Sequence, residues 1–378
     1  MDQIQRALLP QVEQRMKPQK VMMIFGPRRV GKTFLLKQIV QRFDGKSLVL
    51  NGEDADSVAM LEPVSIANYR HVLEGVDLLA IDEAQHVPDI GKKLKLIVDE
   101  IPGIRVIASG SSSFDLKNQA GEPLVGRGTQ FILLPFSQRE IATVESPIES
   151  MRNLETRLLY GSYPEVVASE SFAEKKEYLG DIVESYLLKD ILAVDGVKNS
   201  AKMRDLLRLV AYQMGNELSY EEIGKQLGIS KNTVERYLDL LQKVFVLYRL
   251  GGYSKNLRKE VAKSSKWYFL DNGVRNAVIR NFEPYQLRSD DERGALWENY
   301  IITERMKRNH NERLGLEYYF WRTYDRQEID LIETGSGVMN AFEMKSGKKT
   351  PSAPKAFANA YPQAQFAAVN INNFMDYI

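Results

Sequence analysis

The segment GPRRVGKT at residues 26–33 constrains the fold more than any other part of this chain. It follows a short apolar run at 21–25 and precedes a segment at 34–40 whose apolar residues recur at helical spacing. A strand, a glycine-containing loop and a helix in this order form a cradle in which backbone N–H groups and the helix N-terminus bind phosphate. We therefore predict a parallel α/β domain that binds ATP through Gly26, Pro27, Arg28, Arg29, Val30, Gly31, Lys32 and Thr33.

Two carboxylates follow a second buried strand. Residues 78–81 are apolar throughout, which is typical of a parallel strand that is buried on both faces, and Asp82 and Glu83 come directly after it. In a phosphate-binding site of this kind, Lys32 would reach the β- and γ-phosphates and Thr33 would bind Mg²⁺. Asp82 would hold the same ion through water, and Glu83 would polarise the attacking water. The alternative interpretation is an acidic pair that merely ends a strand.

The composition excludes several classes of site. The chain has 378 residues, a net charge of +1, three histidines and no cysteine. These counts exclude disulfides and thiolate chemistry, argue against a histidine-rich metal site, and leave DNA contact to local basic patches. Residues 1–16 predict a charged amphipathic helix rather than a signal peptide, and the longest apolar runs are too short to span a bilayer. We expect two or three domains in a cytoplasmic protein.

Five segments together resemble a large group of bacterial and archaeal AAA-type ATPases, whose C-terminal half is classed as a domain of unknown function. The segments are FGPRRVGKT, LLAIDEAQ, IASGSSSF, GRGTQFILLPFSQRE and GSYPEV. The resemblance extends over essentially the whole chain. It implies an AAA-type fold, ATP and Mg²⁺ as cofactors and a homo-oligomer, but it leaves the substrate open.

The resemblance also implies two more residues of the ATP site. In ATPases of this type a polar side chain at the end of a third strand contacts the γ-phosphate or the water, and Ser109 is the candidate, with Ser111 as the alternative. Arg127 lies in a Gly-Arg-Gly loop, from which an arginine can reach a phosphate across a subunit boundary. A plain strand-to-loop turn and a surface arginine are the alternative interpretations.

The middle of the chain predicts a winged helix-turn-helix. Ser219 and Ser230 are helix-capping residues on either side of a tight turn, and two apolar segments after the third helix would form the strands of a wing. In a DNA-binding interpretation, the third helix and a basic wing contact DNA through Lys231, Asn232, Thr233, Arg236, Lys255, Arg258 and Lys259. Alternatively the module packs against the ATPase domain and mediates assembly. Glu235 and Asp239 on the same helix would repel phosphates, which disfavours sequence-specific recognition.

The C-terminal segment predicts a helix, a three-stranded meander, a helix and a last strand. This order, with Asp330, a turn and then Glu343-Met-Lys345, resembles the PD-(D/E)xK nuclease superfamily and its archaeal Holliday-junction resolvase branch. Carboxylate oxygens suit Mg²⁺, so Asp330, Glu343 and Glu298 would bind the metal. Lys345 would orient the attacking water or stabilise the developing charge. An inactive fold that only binds a partner is the alternative.

These observations lead to one interpretation of the chain and two rivals. We expect an AAA-type P-loop ATPase domain at 1–150, a helical and winged helix-turn-helix domain at 151–283, and a small α/β nuclease-like domain at 284–378. The predicted function is ATP hydrolysis coupled to DNA binding and Mg²⁺-dependent DNA cleavage. The rivals are an ATP-dependent switch that binds a protein partner and an ATP-gated DNA-binding regulator, each with an inactive nuclease fold.

Overall fold

The computed structural model divides the chain into two compact units. We call Ile4–Pro135 with His310–Glu312 the N-terminal unit, and Phe136–Asn309 with Arg313–Ile378 the C-terminal unit. The side chains of 185–187 are not described, and the residues that the structure describes are 4–110, 124–187, 199–254, 265–323, 325, 327–335 and 337–378.

A parallel sheet forms the centre of the N-terminal unit. Its strands are Val21–Phe25 (β1), Ser47–Asn51 (β2), Leu78–Asp82 (β3), Arg105–Gly110 (β4) and Gly128–Ile132 (β5). They lie in the order β2-β3-β4-β1-β5, and every pair of neighbours is parallel. The carboxyl ends of parallel strands share one edge, so the loop after β1 and the residues after β3 and β4 meet there. The predicted parallel α/β fold of this part is confirmed.

Helices accompany this sheet. They are Leu8–Arg15 (α1), Lys32–Arg42 (α2), Ala55–Met60 (α3), Ile66–Val72 (α4) and Ile90–Glu100 (α5), with a 3₁₀ turn at Ala84–His86. The helix predicted after the phosphate-binding loop is α2, which buries Leu35, Leu36 and Ile39 and packs against β3 and β4. The amphipathic helix predicted at 1–16 is shorter in the described residues, where it begins at Leu8.

The C-terminal unit combines many short helices with one long helix. The helices are Gln138–Ile141 (α6), Pro147–Arg152 (α7), Leu154–Tyr160 (α8), Pro164–Ala168 (α9), Phe172–Asp181 (α10), Ser200–Tyr212 (α11), Tyr220–Leu227 (α12), Lys231–Lys243 (α13), Asn272–Ile279 (α14), Asp290–Glu312 (α15) and Lys355–Ala360 (α16). A π-helical segment at Ile182–Leu187 and 3₁₀ turns at Tyr285–Leu287 and Phe374–Asp376 complete the described helical elements. None of the described helices is long and apolar enough to cross a bilayer.

The capped helices predicted in the middle of the chain are α12 and α13. Ser219 accepts a hydrogen bond from the backbone N–H of Glu222, and Ser230 accepts one from the backbone N–H of Thr233. These side chains satisfy backbone donors that the first helical turn leaves unpaired. Gly228 adopts the left-handed conformation that ends α12, so the turn between the two helices is tight.

A second sheet runs through the C-terminal unit. Its strands are Leu247–Gly252 (β6), Lys266–Phe269 (β7), Glu317–Arg322 (β8), Glu328–Gly335 (β9), Val338–Met344 (β10) and Gln365–Val369 (β11). They lie in the order β11-β10-β9-β8-β6-β7. β8, β9 and β10 form the predicted antiparallel meander, and β11 pairs parallel to β10 after α16.

The predicted wing is part of this sheet. β6 and β7 form an antiparallel hairpin, but β6 also pairs parallel to β8, and all four residues of β7 are buried. The hairpin strands therefore differ from a free-standing wing, because they continue the meander of the following segment. β6 and β8 therefore lie on opposite sides of the predicted boundary at 283/284. The limits of the three predicted domains remain predictions.

Candidate functional site

The phosphate-binding loop has the local geometry that its sequence predicts. A Cβ atom at residue 26 would lie 2.0 Å from the carbonyl oxygen of Leu133, so the backbone passes too close there for any residue but glycine. Gly31 has a φ of +94°, and α2 begins at the next residue. The loop therefore turns sharply and directs the N-terminus of α2 toward the place where phosphates would bind.

Lys32 is held inside this loop. Its side chain is buried, and Nζ donates hydrogen bonds to the carbonyl oxygens of Gly26 at 3.0 Å and Pro27 at 2.9 Å. These bonds keep the ammonium group at the centre of the loop, as expected for a lysine that compensates phosphate charge. Thr33 is exposed at the start of α2.

The ends of β3 and β4 meet beside the loop. Ser109, the penultimate residue of β4, donates a hydrogen bond from Oγ to Asp82 Oδ1. The backbone N–H of Glu83 lies 3.2 Å from Asp82 Oδ1 and 3.3 Å from Ser109 Oγ. β4 lies between β1 and β3, which places Ser109 between the phosphate-binding loop and the two carboxylates. Its predicted contact with a γ-phosphate remains a prediction.

Glu83 has a neighbour that the sequence reasoning missed. Gln85 Nε2 donates a hydrogen bond to Glu83 Oε2, and Glu83 itself adopts a left-handed backbone conformation with φ +47°. The amide orients the carboxylate that was predicted to polarise water. The segment DEAQ carries the signal in retrospect, since a side chain two residues away in a tight turn can reach back to the carboxylate.

Arg127 is engaged within its own unit. Its Nε lies 2.5 Å from Oδ1 of Asp99, a residue of α5, and both side chains are partly exposed. A role of Arg127 at the phosphate of a neighbouring subunit, as predicted, would therefore require this ion pair to be broken. Ser111, the alternative to Ser109, lies outside the described residues.

The predicted nuclease residues lie on three neighbouring elements. Glu298 comes from α15, Asp330 from β9 and Glu343 from the end of β10, and Lys345 is the first residue after β10. Asp330 Oδ2 accepts a 2.7 Å hydrogen bond from the backbone N–H of Met344, which ties the two strands together at this point. We call Glu298, Asp330, Glu343 and Lys345 the acidic cluster.

Mutual repulsion and burial change the titration of the acidic cluster. Burial raises the pKa of Asp330 well above its usual range, and the negative charges of Glu298 and Glu343 raise it further. Burial also raises the pKa of Glu343, although its hydrogen bond from Lys345 opposes that shift. Burial and the neighbouring carboxylates therefore outweigh the nearby positive charges of Lys266 and Lys345.

Glu343 has one satisfied and one unsatisfied oxygen. Lys345 Nζ donates a 2.6 Å hydrogen bond to Oε1. Oε2 is buried and has no hydrogen-bond partner among the described residues. A buried carboxylate oxygen without a partner is unfavourable unless a cation or water satisfies it, so this atom fits a hard cation such as Mg²⁺.

The sequence reasoning missed three residues of this region, namely Lys266, Tyr268 and Glu328. Lys266 on β7 forms an ion pair with Glu328 and lies 3.7 Å from Glu298 Oε1. Tyr268 on β7 donates a 2.5 Å hydrogen bond to the same Glu298 oxygen. Burial alone would lower the pKa of Lys266, but Glu298, Glu328 and Asp330 outweigh it and raise the pKa above its usual range. A lysine inside an otherwise apolar buried strand was the signal available in the sequence.

The oxygen atoms of the acidic cluster are the kind of ligand that a divalent cation binds, but the side chains are not arranged around a common metal position. Among the residues that the structure describes, no three or more Asp, Glu, His or Cys side chains form a ready-made metal site. Instead, Glu298 contacts Tyr268 and Lys266, while Glu343 contacts Lys345. The oxygen ligands and the unsatisfied Oε2 atom suit Mg²⁺.

The residues predicted to contact DNA are only partly described. Lys231, Asn232 and Arg236 are exposed on α13, and Lys231 Nζ lies 3.0 Å from Glu221 Oε1. Thr233 is half-buried, with Oγ1 2.9 Å from Ser230 Oγ at the helix cap. The remaining predicted contacts lie outside the described residues, namely Lys255, Arg258 and Lys259.

Family comparisons divide the chain into three matched regions. Residues 18–142 match an AAA domain. Residues 151–285 and 293–374 match two domains of unknown function, DUF8612 and DUF4143. Together with the geometry of the phosphate-binding loop, these matches support an AAA-type ATPase domain at 18–142, and they mark a DUF4143 region at 293–374.

Similar chains occur in bacteria and archaea. The uncharacterized protein Rv2008c of Mycobacterium tuberculosis is 27% identical over 353 residues, which cover 93% of this chain and 76% of that protein. The uncharacterized protein MJ1544 of Methanocaldococcus jannaschii is 23% identical over 380 residues, which cover 95% and 83% respectively. The similarity therefore extends over most of the length of both chains in each comparison.

Two solved structures match this chain distantly. The RuvB Holliday junction branch migration motor of Thermotoga maritima matches with a TM-score of 0.31 at 17% identity, over 64% of this chain and 86% of that chain. The STAND protein PH0952 of Pyrococcus horikoshii matches with a TM-score of 0.30 at 14% identity, over 81% and 47%.

Proposed function

We propose that this AAA-type ATPase binds DNA under the control of ATP and cleaves it with a divalent cation held by the acidic cluster. One observation carries the proposal. Glu298, Asp330, Glu343 and Lys345 are separated by up to 47 positions in the sequence. Yet Asp330 Oδ2 accepts a hydrogen bond from the backbone N–H of Met344, which lies between Glu343 and Lys345, and the charge of Glu298 acts on Asp330. Three acids and a lysine collected in this way suit phosphodiester hydrolysis.

In the N-terminal unit, the proposed roles follow from which residues lie at the edge of the sheet where the carboxyl ends of β1, β3 and β4 meet. Lys32 and the loop amides would compensate the phosphates, and Thr33 with Asp82 would hold Mg²⁺. Glu83, oriented by Gln85, would accept a proton from the water that attacks the γ-phosphate. The products are ADP and inorganic phosphate. Ser109 would position this water or the phosphate from the end of β4.

In the C-terminal unit, Asp330, Glu343, Glu298 and the Met344 carbonyl would hold the divalent cation. The bound cation would neutralise charge that develops on the scissile phosphate. Lys345 lies against Glu343 and would orient the attacking water or stabilise the pentacovalent phosphate. Water adds to the phosphorus, and the leaving oxygen departs with a proton.

DNA would be bound by the exposed side chains at the start of α13 and by the predicted basic wing. Lys231, Asn232 and Arg236 stand on the exposed face of this helix. A homo-oligomer would allow Arg127 to leave Asp99 and reach the phosphate of a neighbouring subunit, which would couple assembly to hydrolysis.

The test is a cleavage assay on linear, branched and single-stranded DNA with Mg²⁺ or Mn²⁺, with and without ATP. The wild type should cut at least one substrate, and Lys345→Ala should lose at least about a hundredfold in rate, as expected when a group that stabilises transition-state charge is removed. Lys348→Ala, an exposed lysine three residues away, is the matched control. ATP hydrolysis without cutting of any substrate would overturn the nuclease activity.

The second candidate is an ATP-dependent switch that binds a protein partner through an inactive nuclease fold. It is favoured by the absence of a ready-made metal site among the described residues and by Lys266, which already compensates carboxylates there. Glu235 and Asp239, both exposed on α13, also disfavour phosphate contact. DNA binding that is absent or insensitive to salt would support this candidate. Salt-sensitive binding without cleavage would instead indicate an ATP-gated DNA-binding regulator.

A further inference from the structure

Lys266 occupies a position where a cation is needed. It is the first residue of β7, its side chain is only 5% exposed, and Nζ forms an ion pair with Glu328. The same nitrogen lies 3.7 Å from Glu298 Oε1, the oxygen that also accepts a hydrogen bond from Tyr268. The hairpin strand β7 therefore supplies a positive charge and a hydroxyl donor to the carboxylate predicted to complete the metal site.

An ammonium group and a divalent cation cannot share Glu298 without cost. Both are attracted to the same carboxylate, and at a few ångströms they repel each other more strongly in a buried setting than in water. Withdrawal of Nζ from Glu298 relieves this repulsion, and Glu328 offers the place to which it can withdraw. Glu328 also has Arg322 Nε 3.9 Å from its Oε2, so its own charge is compensated from two sides.

Resting on the proposed function, we propose that Lys266 is an internal counter-cation that competes with the divalent cation for Glu298, while Glu328 retains the lysine when metal binds. The pair thereby sets the metal affinity of the acidic cluster. Two substitutions should act in opposite directions. Removing the lysine should tighten metal binding, whereas removing the carboxylate that retains the lysine should weaken it.

The experiment measures Mn²⁺ binding to the full-length chain, without DNA or nucleotide, from the electron paramagnetic resonance signal of free Mn²⁺. Asp82→Asn serves as the background in all variants, so that Mn²⁺ held by Asp82 at the ATP site does not contribute. Lys266→Met should bind Mn²⁺ at least about tenfold more tightly, and Glu328→Gln at least about threefold more weakly. In the double variant, the effect of Glu328→Gln should largely disappear, because the lysine through which it acts is gone. Lys243→Met, which removes a lysine paired with Asp239 on the surface, is the control.

Each outcome separates this inference from the proposed function. Equal Mn²⁺ affinities in the background protein and Lys266→Met overturn the counter-cation role and leave the nuclease proposal standing. Opposite shifts without any DNA cleavage support the counter-cation role and overturn the nuclease activity. Absence of Mn²⁺ binding in every variant overturns both. If Lys266→Met does not fold, Lys266→Arg and Glu328→Gln decide: Glu328→Gln should bind Mn²⁺ more weakly than both the background protein and Lys266→Arg, and equal affinities overturn the inference.

Discussion

At the scale of single residues, each compact unit contains a buried lysine whose ammonium group is bound by oxygen atoms of the same chain. Lys32 donates to the carbonyl oxygens of Gly26 and Pro27, and Lys266 is paired with Glu328. A buried ammonium group needs such partners, because desolvation without them would favour its neutral form. Binding of phosphate near Lys32, or of metal near Lys266, must therefore replace contacts that these lysines already make within the protein.

Substitution of Lys32 and substitution of Glu83 should affect different steps at the ATP site: the first ATP binding, the second ATP hydrolysis. Lys32→Ala should weaken ATP binding by at least about a hundredfold, since it removes a buried charge that would contact phosphate. Glu83→Gln should bind ATP nearly as the wild type does but should lose at least about a hundredfold in turnover. Isothermal titration calorimetry measures the ATP affinity, and the rate of phosphate release measures the turnover. Lys37→Ala, on the exposed side of α2, is the control, and normal hydrolysis by Glu83→Gln would show that another group activates the water.

At the scale of elements, the GSYPEV segment is explained by a buried helix cap. Asp271 caps α14 by accepting hydrogen bonds from the N–H groups of Gly273 and Val274, and it also accepts one from Ser162 at 2.8 Å. Gly161 has a φ of +73°, and a Cβ there would lie 1.9 Å from Asp271 Oδ1. One carboxylate thus joins the end of α8 to the start of α14, and glycine at 161 leaves it the necessary space.

The buried cap predicts a pH dependence of stability. Burial raises the pKa of Asp271 to about 6, against the charge of Lys307 and the three N–H donors, which lower it. The folded state therefore binds more protons than the unfolded state between about pH 4 and pH 6, and stability falls as pH rises through this window. The total loss from this group is about 2–3 kcal/mol. Urea unfolding at several pH values should show this slope in the wild type.

The Asp271→Asn variant isolates the contribution of this group. Its side chain cannot ionise, so the difference in unfolding free energy between wild type and variant should shrink between about pH 4 and pH 6. The variant also loses the acceptor for Ser162 N–H, which costs about 1–3 kcal/mol at every pH. A difference that stays constant across this window would show that the carboxyl group titrates in its ordinary range.

At the scale of the whole molecule, an AAA-type nucleotide site occurs in one compact unit and the proposed DNA-acting residues in the other. The net charge of +1 provides no general attraction to DNA. Specific exposed cations must therefore supply the electrostatic part of binding, and salt dependence is the property that reports how many of them contact phosphate.

Raising the salt concentration from about 50 to about 200 mM should lower DNA affinity about 20-fold, which corresponds to two or three neutralised phosphates. The double variant Lys231→Gln/Arg236→Gln should bind more weakly at low salt and should lose most of this dependence. Fluorescence anisotropy with labelled duplex DNA measures both. Lys243→Gln, about 18 Å along α13 from the start of the helix, should retain the wild-type slope. An unchanged slope in the double variant would place the DNA contact elsewhere.

The sequence by itself determined the elements whose signals are local. The phosphate-binding loop, the carboxylates after β3, the serine caps of α12 and α13 and the order of the C-terminal strands all follow from short-range periodicity, glycine placement and capping. Tertiary structure alone decided which distant side chains meet. The parallel pairing of β6 with β8 brings Lys266 and Tyr268 to Glu298, and the folding of the N-terminal unit pairs Arg127 with Asp99 of α5. Such contacts have no local pattern, because they depend on strand order and on the burial of charges that only the folded chain brings together.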